Sequence, residues 1–312
     1  MVFNMLAKKY NNFLKMRAFF ILLAGLISCS MYSSAFAAEY QIRGNIIGQR
    51  ATYQIKYDDS LFEIARMYDI GYNDICNANP GFDPFIPEEN RFIVIPTEWI
   101  LPDVEIRRGI VVNLAEMRLY YFLNDATNSV MTFPVGIGDE GKETPLGLFS
   151  VIEKIKNPAW YVPKSIQLEK PDLPAVVPPG PDNPMGSRAL RLSKPTFLIH
   201  GTNRPWGIGT RNSHGCMRLY EEDVLQLFEK VDIGTRVTIV NQPIKIVVAG
   251  NEVYMEVHDY ENGSDLNKEA LKIIESKSLI NDVDLDEVKK AVIERSGLPV
   301  DISKKRAEFL SK

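Results

Sequence analysis

Only three cysteines (Cys29, Cys76 and Cys216) and three histidines (His200, His214 and His258) occur in the 312 residues. So few thiols exclude a disulfide-rich scaffold. No CxxC pair exists on which a closed structural zinc site could be built. Excess positive charge is missing too. Lys and Arg number 36 against 40 Asp and Glu, for a formal charge of -4 and a pI near 5.6, which argues against a binder that works by neutralising nucleic-acid phosphates. Long apolar runs are scarce, and a mean hydropathy of -0.12 excludes a multi-span membrane protein. What remains is ordinary globular composition, 45% hydrophobic and 24% charged, in a chain long enough for two domains of about 150 residues each.

Residues 1–37 read as an export signal. Lys8, Lys9, Lys15 and Arg17 stand without any acidic neighbour, and the uncharged run Ala18 to Ile27 follows. That run is too short to cross ~30 Å of hydrocarbon. Ala35-Phe36-Ala37 then supplies a small-x-small cleavage pattern before Ala38. Two other readings compete: a membrane anchor extended through Ser28–Ala37, and lipidation of Cys29, whose Leu26-Ile27-Ser28-Cys29 context resembles a bacterial lipoprotein box. Cleavage near Ala37 leaves Cys76 and Cys216 in an oxidising compartment, where the two could in principle pair.

Residues 40–98 form the first unit. Tyr53-Gln54-Ile55 alternates like a strand, and Ser60 with Glu63 makes a capping box at a helix start. Leu61, Ile64, Ala65 and Tyr68 share one face of that helix. Asn73 is placed to cap a second helix, which Asn79-Pro80 ends, and Phe92 to Pro96 closes the unit as a strand. This β-α-α-β order, with "YDDSLFEIARMYDIGYNDICNANP" and a closing "IVIP", resembles a LysM domain. The resemblance implies binding of N-acetylglucosamine-containing glycans; a packing module without sugar affinity is the alternative. Cys76 reads as a small apolar core residue.

From residue 107 to 241 the pattern changes to short strands between glycine and proline turns. Ile110 to Leu114 and Met117 to Leu123 are strand candidates rich in β-branched and aromatic residues. Glu221 to Lys230 is the one convincing helix there, so the region reads as a β-sandwich or partial barrel. Residues 242–312 add a strand, Val253 to Val257, and a charged helical tail. The fold class is therefore mainly β: a small βααβ unit, a β-sandwich-like domain and a helical C-terminal extension.

The chemistry is concentrated in two clusters, "FLIHGTN" at 197–203 and "SHGCMRL" at 213–219. A thiol attacks carbonyls as the thiolate, so Cys216 needs a neighbouring base or cation. Either histidine could serve. His214 falls on the Cys216 face if the segment is extended, whereas His200 at a strand end can approach the sulfur from a facing strand. Geometry mildly favours His200. Gly215 would let backbone N–H groups turn toward a developing oxyanion. A zinc site built from His200, His214 and Cys216 lacks a fourth ligand. A buried inert Cys216 is a further alternative, and a papain-like protease has the opposite Cys-then-His order.

"IHGTN" followed by "GIGTRNSHGCMRL" is similar to the signature of the L,D-transpeptidase (YkuD) catalytic domain. "RRGIVVNLAEMRLYYF", "FPVGIGDEGKETPLG" and "VVPPGPDNPMGSRALRLS" extend the likeness across 107–241. Met217 stands where the family often has isoleucine or valine. The resemblance implies Cys216 as nucleophile, His200 as proton acceptor and donor, and the Gly201 carbonyl as the group that orients His200. It implies further that Ser213, His214 and Gly215 form the loop beside the oxyanion hole, with Arg218 the nearby basic residue. Thr202, Asn203, Arg188, Arg191 and Arg211 join Arg218 as candidate contacts to a carboxylate-rich substrate, for which bidentate guanidinium groups are suited.

The implied reaction is acyl transfer on peptidoglycan tetrapeptide stems through a Cys216 thioester, with release of D-alanine. An amine of a second stem would give a 3-3 cross-link and a C-terminal lysine of an outer-membrane lipoprotein a covalent tether, whereas water would give L,D-carboxypeptidase activity. A non-catalytic wall-binding protein is the alternative from another class. No metal or cofactor is called for. The LysM-plus-YkuD layout resembles the enterobacterial-type periplasmic branch, which implies the periplasm of a Gram-negative bacterium. There Cys216 is expected free, unpaired with Cys76, and dependent on a periplasmic thiol reductant.

Overall fold

The computed structural model describes residues 39–123, 126–259 and 265–305. The export-signal reading of 1–37, with Cys29, lies outside them. Among the described residues no helix is long and apolar enough to cross a membrane.

In chain order, β1 (Glu39–Gln41), β2 (Ile46–Gly48) and β3 (Ala51–Gln54) precede α1 (Leu61–Met67) and α2 (Tyr72–Ala78), and β4 (Phe92–Ile95) and β5 (Glu98–Ile100) follow. Strand β3 pairs antiparallel with β4, giving the expected β-α-α-β unit. The α1 cap relies on one hydroxyl: Ser60 Oγ accepts from Glu63 N at 3.2 Å and donates to the Glu63 carboxylate at 3.1 Å. Leu61, Ile64 and Ala65 are buried as their spacing predicted. Asn73 does not cap α2. The helix starts two residues earlier at Gly71, whose N–H donates to Asp74 Oδ2 at 3.0 Å, so the acid wins the capping role. Strand β1 pairs with β8 of the larger sheet, while its Tyr40 ring packs edge-on against Trp99.

That sheet is built from β6 (Gly109–Asn113), β7 (Arg118–Phe122), β8 (Ser129–Pro134), β10 (Gly147–Lys156), β13 (Arg188–Leu192), β14 (Leu198–His200), β16 (Met217–Arg218) and β17 (Arg236–Val240). The strand order is β1-β8-β7-β6-β17-β10-β13-β14-β16. Strand β10 is the corner. Its first half pairs with β17 and its second with β13, and the register shifts between Val151 and Glu153. A bulge at such a point lets one strand serve two sheet halves. Ile110, Val112, Leu119 and Val237 from one half and Leu190, Ile199 and Met217 from the other enclose one core with Val224, Leu227 and Phe228 of α4 (Glu221–Lys230). The remaining pieces are β9 (Ile137–Gly138), which pairs with β15 (Arg211–Ser213), and β11 (Trp160–Tyr161), which pairs with β12 (Val176–Val177). A short helix, α3 (Lys164–Glu169), was not expected. It is less than two turns long and follows a proline, too little for periodicity to register.

The extension is more than a helical tail. Strands β18 (Ile244–Ala249), β19 (Glu252–Val257) and β20 (Val300–Asp301) form a sheet covered by α5 (Leu266–Ser276) and α6 (Leu285–Glu294), with its own core. It is tied to the rest by buried charge. The Lys245 ammonium lies 2.7 Å from both Glu116 Oε2 and Glu256 Oε1, and His258 Nε2 is 2.6 Å from Glu256. Glu116, Glu256 and His258 are arranged closely enough to hold a metal ion. The ammonium already stands between those carboxylates.

The LysM-like unit docks on the start of α4. Arg66 makes a two-pronged contact with Glu222 at 2.9 and 3.1 Å, Arg118 pairs with Asp74 at 2.9 Å, and Tyr220 donates to the Ile70 carbonyl at 3.4 Å. Within this interface the carboxyls of Asp69 and Asp223 are buried against each other, and Asp69 Oδ1 and both Asp223 oxygens have no other partner. Burial raises both pKa values. Asp69, pulled back by Arg118 and by its hydrogen bond with Asp223, rises to about 6, and Asp223 stands well above the carboxylate range. The pair therefore keeps a proton at neutral pH that the unfolded chain releases. Stability from this source is full below about pH 4, where both states are protonated, falls from there as pH rises toward about 6, and goes on falling only until Asp223 ionises in the folded protein. Asp223→Asn keeps an N–H donor for Asp69 but has no proton to lose. The variant's Tm should decline less than the wild type's between about pH 4 and 6, and calorimetry showing parallel curves would contradict this reading.

Candidate active site

Strands β14 and β16 pair in parallel, with Ile199 opposite Met217 and His200 opposite Arg218. Ile199 and Met217 are both fully buried in the main core. Alternation then turns their neighbours Leu198, His200, Cys216 and Arg218 to the other face. There Cys216 packs beside Met185, Ala189 and Leu198. The sheet pairing thus brings the thiol, the His200 imidazole and the Arg218 guanidinium to one side.

His200 is buried, and its Nδ1 lies 2.6 Å from the Gly201 carbonyl. A carbonyl can only accept, so Nδ1 carries the hydrogen and Nε2 keeps its lone pair. Burial first, and the Arg218 charge second, lower the His200 pKa to about 4, while the carbonyls of Gly201 and Met185 pull the other way. The imidazole is consequently a neutral base at physiological pH. Cys216 is half-buried, and its thiol donates to the Thr196 carbonyl at 3.7 Å rather than to His200. Burial raises the thiol pKa, and Arg218 and Arg191 oppose that shift. Both partners rest uncharged, so proton transfer has to accompany attack on a substrate.

The loop before the thiol is held from two sides. Ser213 Oγ accepts from Gly215 N at 3.1 Å and donates to the Cys216 carbonyl at 2.5 Å. Thr144 Oγ1, also buried, donates to the Gly215 carbonyl at 3.0 Å and accepts from Gly138 N. The Gly215 N–H is therefore engaged inside the loop. Gly215 has φ +103°, and a Cβ there would press on the Phe197 ring at 2.7 Å, so only glycine fits. That turn also breaks the extended conformation on which a His214 base depends. His214 is exposed, with Nε2 2.8 Å from Lys142 Nζ and 3.4 Å from Glu169 Oε2.

The candidate arginines separate. Arg218 Nη1 donates to Asn212 Oδ1 at 3.1 Å while its buried Nε has no partner, and burial lowers its pKa. Arg191 is on the thiol face, held by Glu153 at 2.6 Å and the Pro195 carbonyl at 3.0 Å. Arg188 is not brought to the site. It shares the opposite strand face with core residue Leu190 and lies over the Phe228 ring at 5.5 Å. Arg211 sits beside the β9 turn, donating to Gly138 O at 3.3 Å. Thr202 and Asn203 line a pocket of about 260 Å³ with Asn183, Ser187 and Glu221; neither Cys216 nor His200 lines it. Thr144 and Asn212 have structural roles here that no local sequence signal announced.

A resting thiol held neutral should alkylate slowly. With iodoacetamide, the Cys216 rate should rise about tenfold per pH unit through pH 8 with no plateau. A rate that is flat from pH 6 upward would mean a preformed thiolate. Arg218→Gln, which removes the nearer positive charge, should slow the reaction further.

Comparison with known proteins gives the family. A model of the L,D-transpeptidase catalytic domain matches residues 107–239, and a LysM domain model matches 53–96. The probable L,D-transpeptidase ErfK/SrfK of Salmonella typhimurium strain LT2 is 36% identical over 302 residues, covering 91% of this chain and 95% of the relative. The probable L,D-transpeptidase YbiS of Escherichia coli K12 is 38% identical over 287 residues, 86% of this chain and 93% of the relative. The putative L,D-transpeptidase YkuD of Bacillus subtilis strain 168 is 35% identical over 190 residues, 60% of this chain and 98% of the relative. With near end-to-end likeness to two such proteins, this chain belongs to the L,D-transpeptidase family.

Proposed function

We propose that the protein transfers peptidoglycan stem peptides through a thioester on Cys216. The observation that carries this is the β14–β16 pairing, which sets one thiol, one neutral imidazole of defined tautomer and one guanidinium on a common face. In the first step Cys216 Sγ bonds to the carbonyl carbon before the terminal D-alanine of a tetrapeptide, and its proton passes to His200 Nε2. The imidazolium returns that proton to the departing D-alanine amine as the C–N bond breaks. In the second step an amine attacks the thioester, giving up a proton to Nε2, and the thiolate leaves and is reprotonated. Dividing one difficult substitution in this way suits a soft nucleophile. Arg218, pointing to the same face, is positioned to balance negative charge on sulfur or on the substrate's carboxylates.

Exposed Tyr57, Phe85 and Ile86 on the LysM domain offer apolar surface of the kind that sugar rings cover. Glycan binding there would hold the enzyme on its polymeric substrate. The family and domain pair support a periplasmic site of action, with residues 1–37 as the export signal. Free Cys76 and Cys216 accord with a thiol kept reduced there.

Incubation with tetrapeptide muropeptides should release D-alanine and add to Cys216 the mass of the muropeptide less D-alanine. Cys216→Ala should lose at least about 10³-fold in turnover, since the whole acylation route goes with the sulfur. Full activity in that variant would contradict the proposal. Muropeptide analysis of cells with and without the protein then assigns the acceptor, since 3-3 cross-links, lipoprotein attachment and trimmed tripeptides have different masses.

A further inference from the structure

The Gly201 carbonyl sets the tautomer of His200, so whatever holds the Gly201 peptide controls the base. On one side Gly201 N donates to the Arg188 carbonyl at 3.1 Å, and Leu219 N donates to the His200 carbonyl at 2.9 Å. On the other side the backbone of Gly186 crosses directly against Gly201. A Cβ on Gly186 would lie 2.7 Å from the Gly201 carbonyl carbon and 2.8 Å from its Cα. Glu221, the first residue of α4, covers this crossing. Its Oε2 accepts from Ser187 N at 3.1 Å, next to Gly186. Its Oε1 is buried without a hydrogen-bond partner, in the space that a Cβ on Gly186 or on Gly201 would have to enter.

A buried carboxylate oxygen left unpaired is costly. Nothing in the fold of α4 requires a long acidic side chain there, although the helix N-terminus makes a negative charge tolerable. The side chain is shaped to the crossing: one oxygen anchors the Gly186–Ser187 peptide and the other blocks the space into which Gly201 could relax. We infer that Glu221 is a positioning residue for the His200–Gly201 pair, acting by shape and one hydrogen bond. Without it the Gly201 carbonyl is free to rotate, and the imidazole loses the acceptor that keeps its hydrogen on Nδ1.

This inference rests on the transpeptidase reading only for its kinetic arm. Glu221→Ala should slow acylation of Cys216 by about 10- to 100-fold, the cost of a small misplacement of a reacting group, with KM for the muropeptide changed less than about threefold. Glu221→Gln fills the same space and can still accept from Ser187, so it should stay within about fivefold of the wild type. The second readout is the low-field Nδ1 proton of His200 in the ¹H–¹⁵N spectrum. It should persist in the glutamine variant and vanish in the alanine variant, while the dispersed backbone resonances remain. If Glu221→Ala does not fold, Glu221→Asp, one methylene short of spanning both glycines, takes its place with the same two expectations. Acylation within about threefold of the wild type, or an intact Nδ1 resonance in the truncated variant, overturns the inference. A wild-type enzyme that forms no acyl-enzyme at all contradicts the transpeptidase reading instead, and the resonance alone then decides the role of Glu221.

Discussion

Two residue pairs in parallel register, Ile199 with Met217 and His200 with Arg218, are what the active face depends on. Burial enforces that register. Ile199 and Met217 are completely enclosed by the main core, so a slip by one residue would expose both and would send His200 and Cys216 into the apolar interior. The remaining features follow from it. Gly215 must turn for the chain to reach β16 from β15, Ser213 and Thr144 hold that turn, and Asn212 meets the guanidinium that the register places beside His200.

Electrostatically the site is poised rather than charged. Taking the thiol and the imidazole out of water disfavours the ionised form of each, which raises one pKa and lowers the other. Arg218 acts on both with opposite consequences, favouring a negative sulfur and disfavouring a positive ring. A resting thiolate–imidazolium pair is therefore disfavoured, and charge separation waits for a substrate whose developing negative charge faces the guanidinium. A neutral thiol is also the less readily oxidised form.

The parts of the site that the sequence made legible are those carried by rare residues and strict alternation. Cys216 and His200 stood out because thiols and imidazoles are so few, and "FLIH" announced a buried strand that ends on its functional residue. His214 as the alternative base required an extended backbone, and Gly215 at φ +103° ends the alternation between the two residues. Arg188 misled because alternation separates two faces but does not say which of them the core occupies. Asn73 was the expected cap, but the chain enters the helix through Gly71, and Asp74 then meets the Gly71 N–H. Strand β1 crossing to β8, the Asp69–Asp223 pair and the Glu221 wedge all join residues distant in sequence, so no local pattern could have announced them.

The central claim is that His200 rests as a neutral Nδ1–H imidazole beside a protonated thiol. Nitrogen-15 NMR of ring-labelled histidine in the free enzyme tests it directly, because the two ring nitrogens report tautomer and charge separately. The account predicts a protonated Nδ1 and an unprotonated Nε2 across pH 5 to 8, with protonation of the ring only near pH 4. A His200 imidazolium at pH 7 would show that the thiolate–imidazolium pair forms before substrate arrives and would contradict the account.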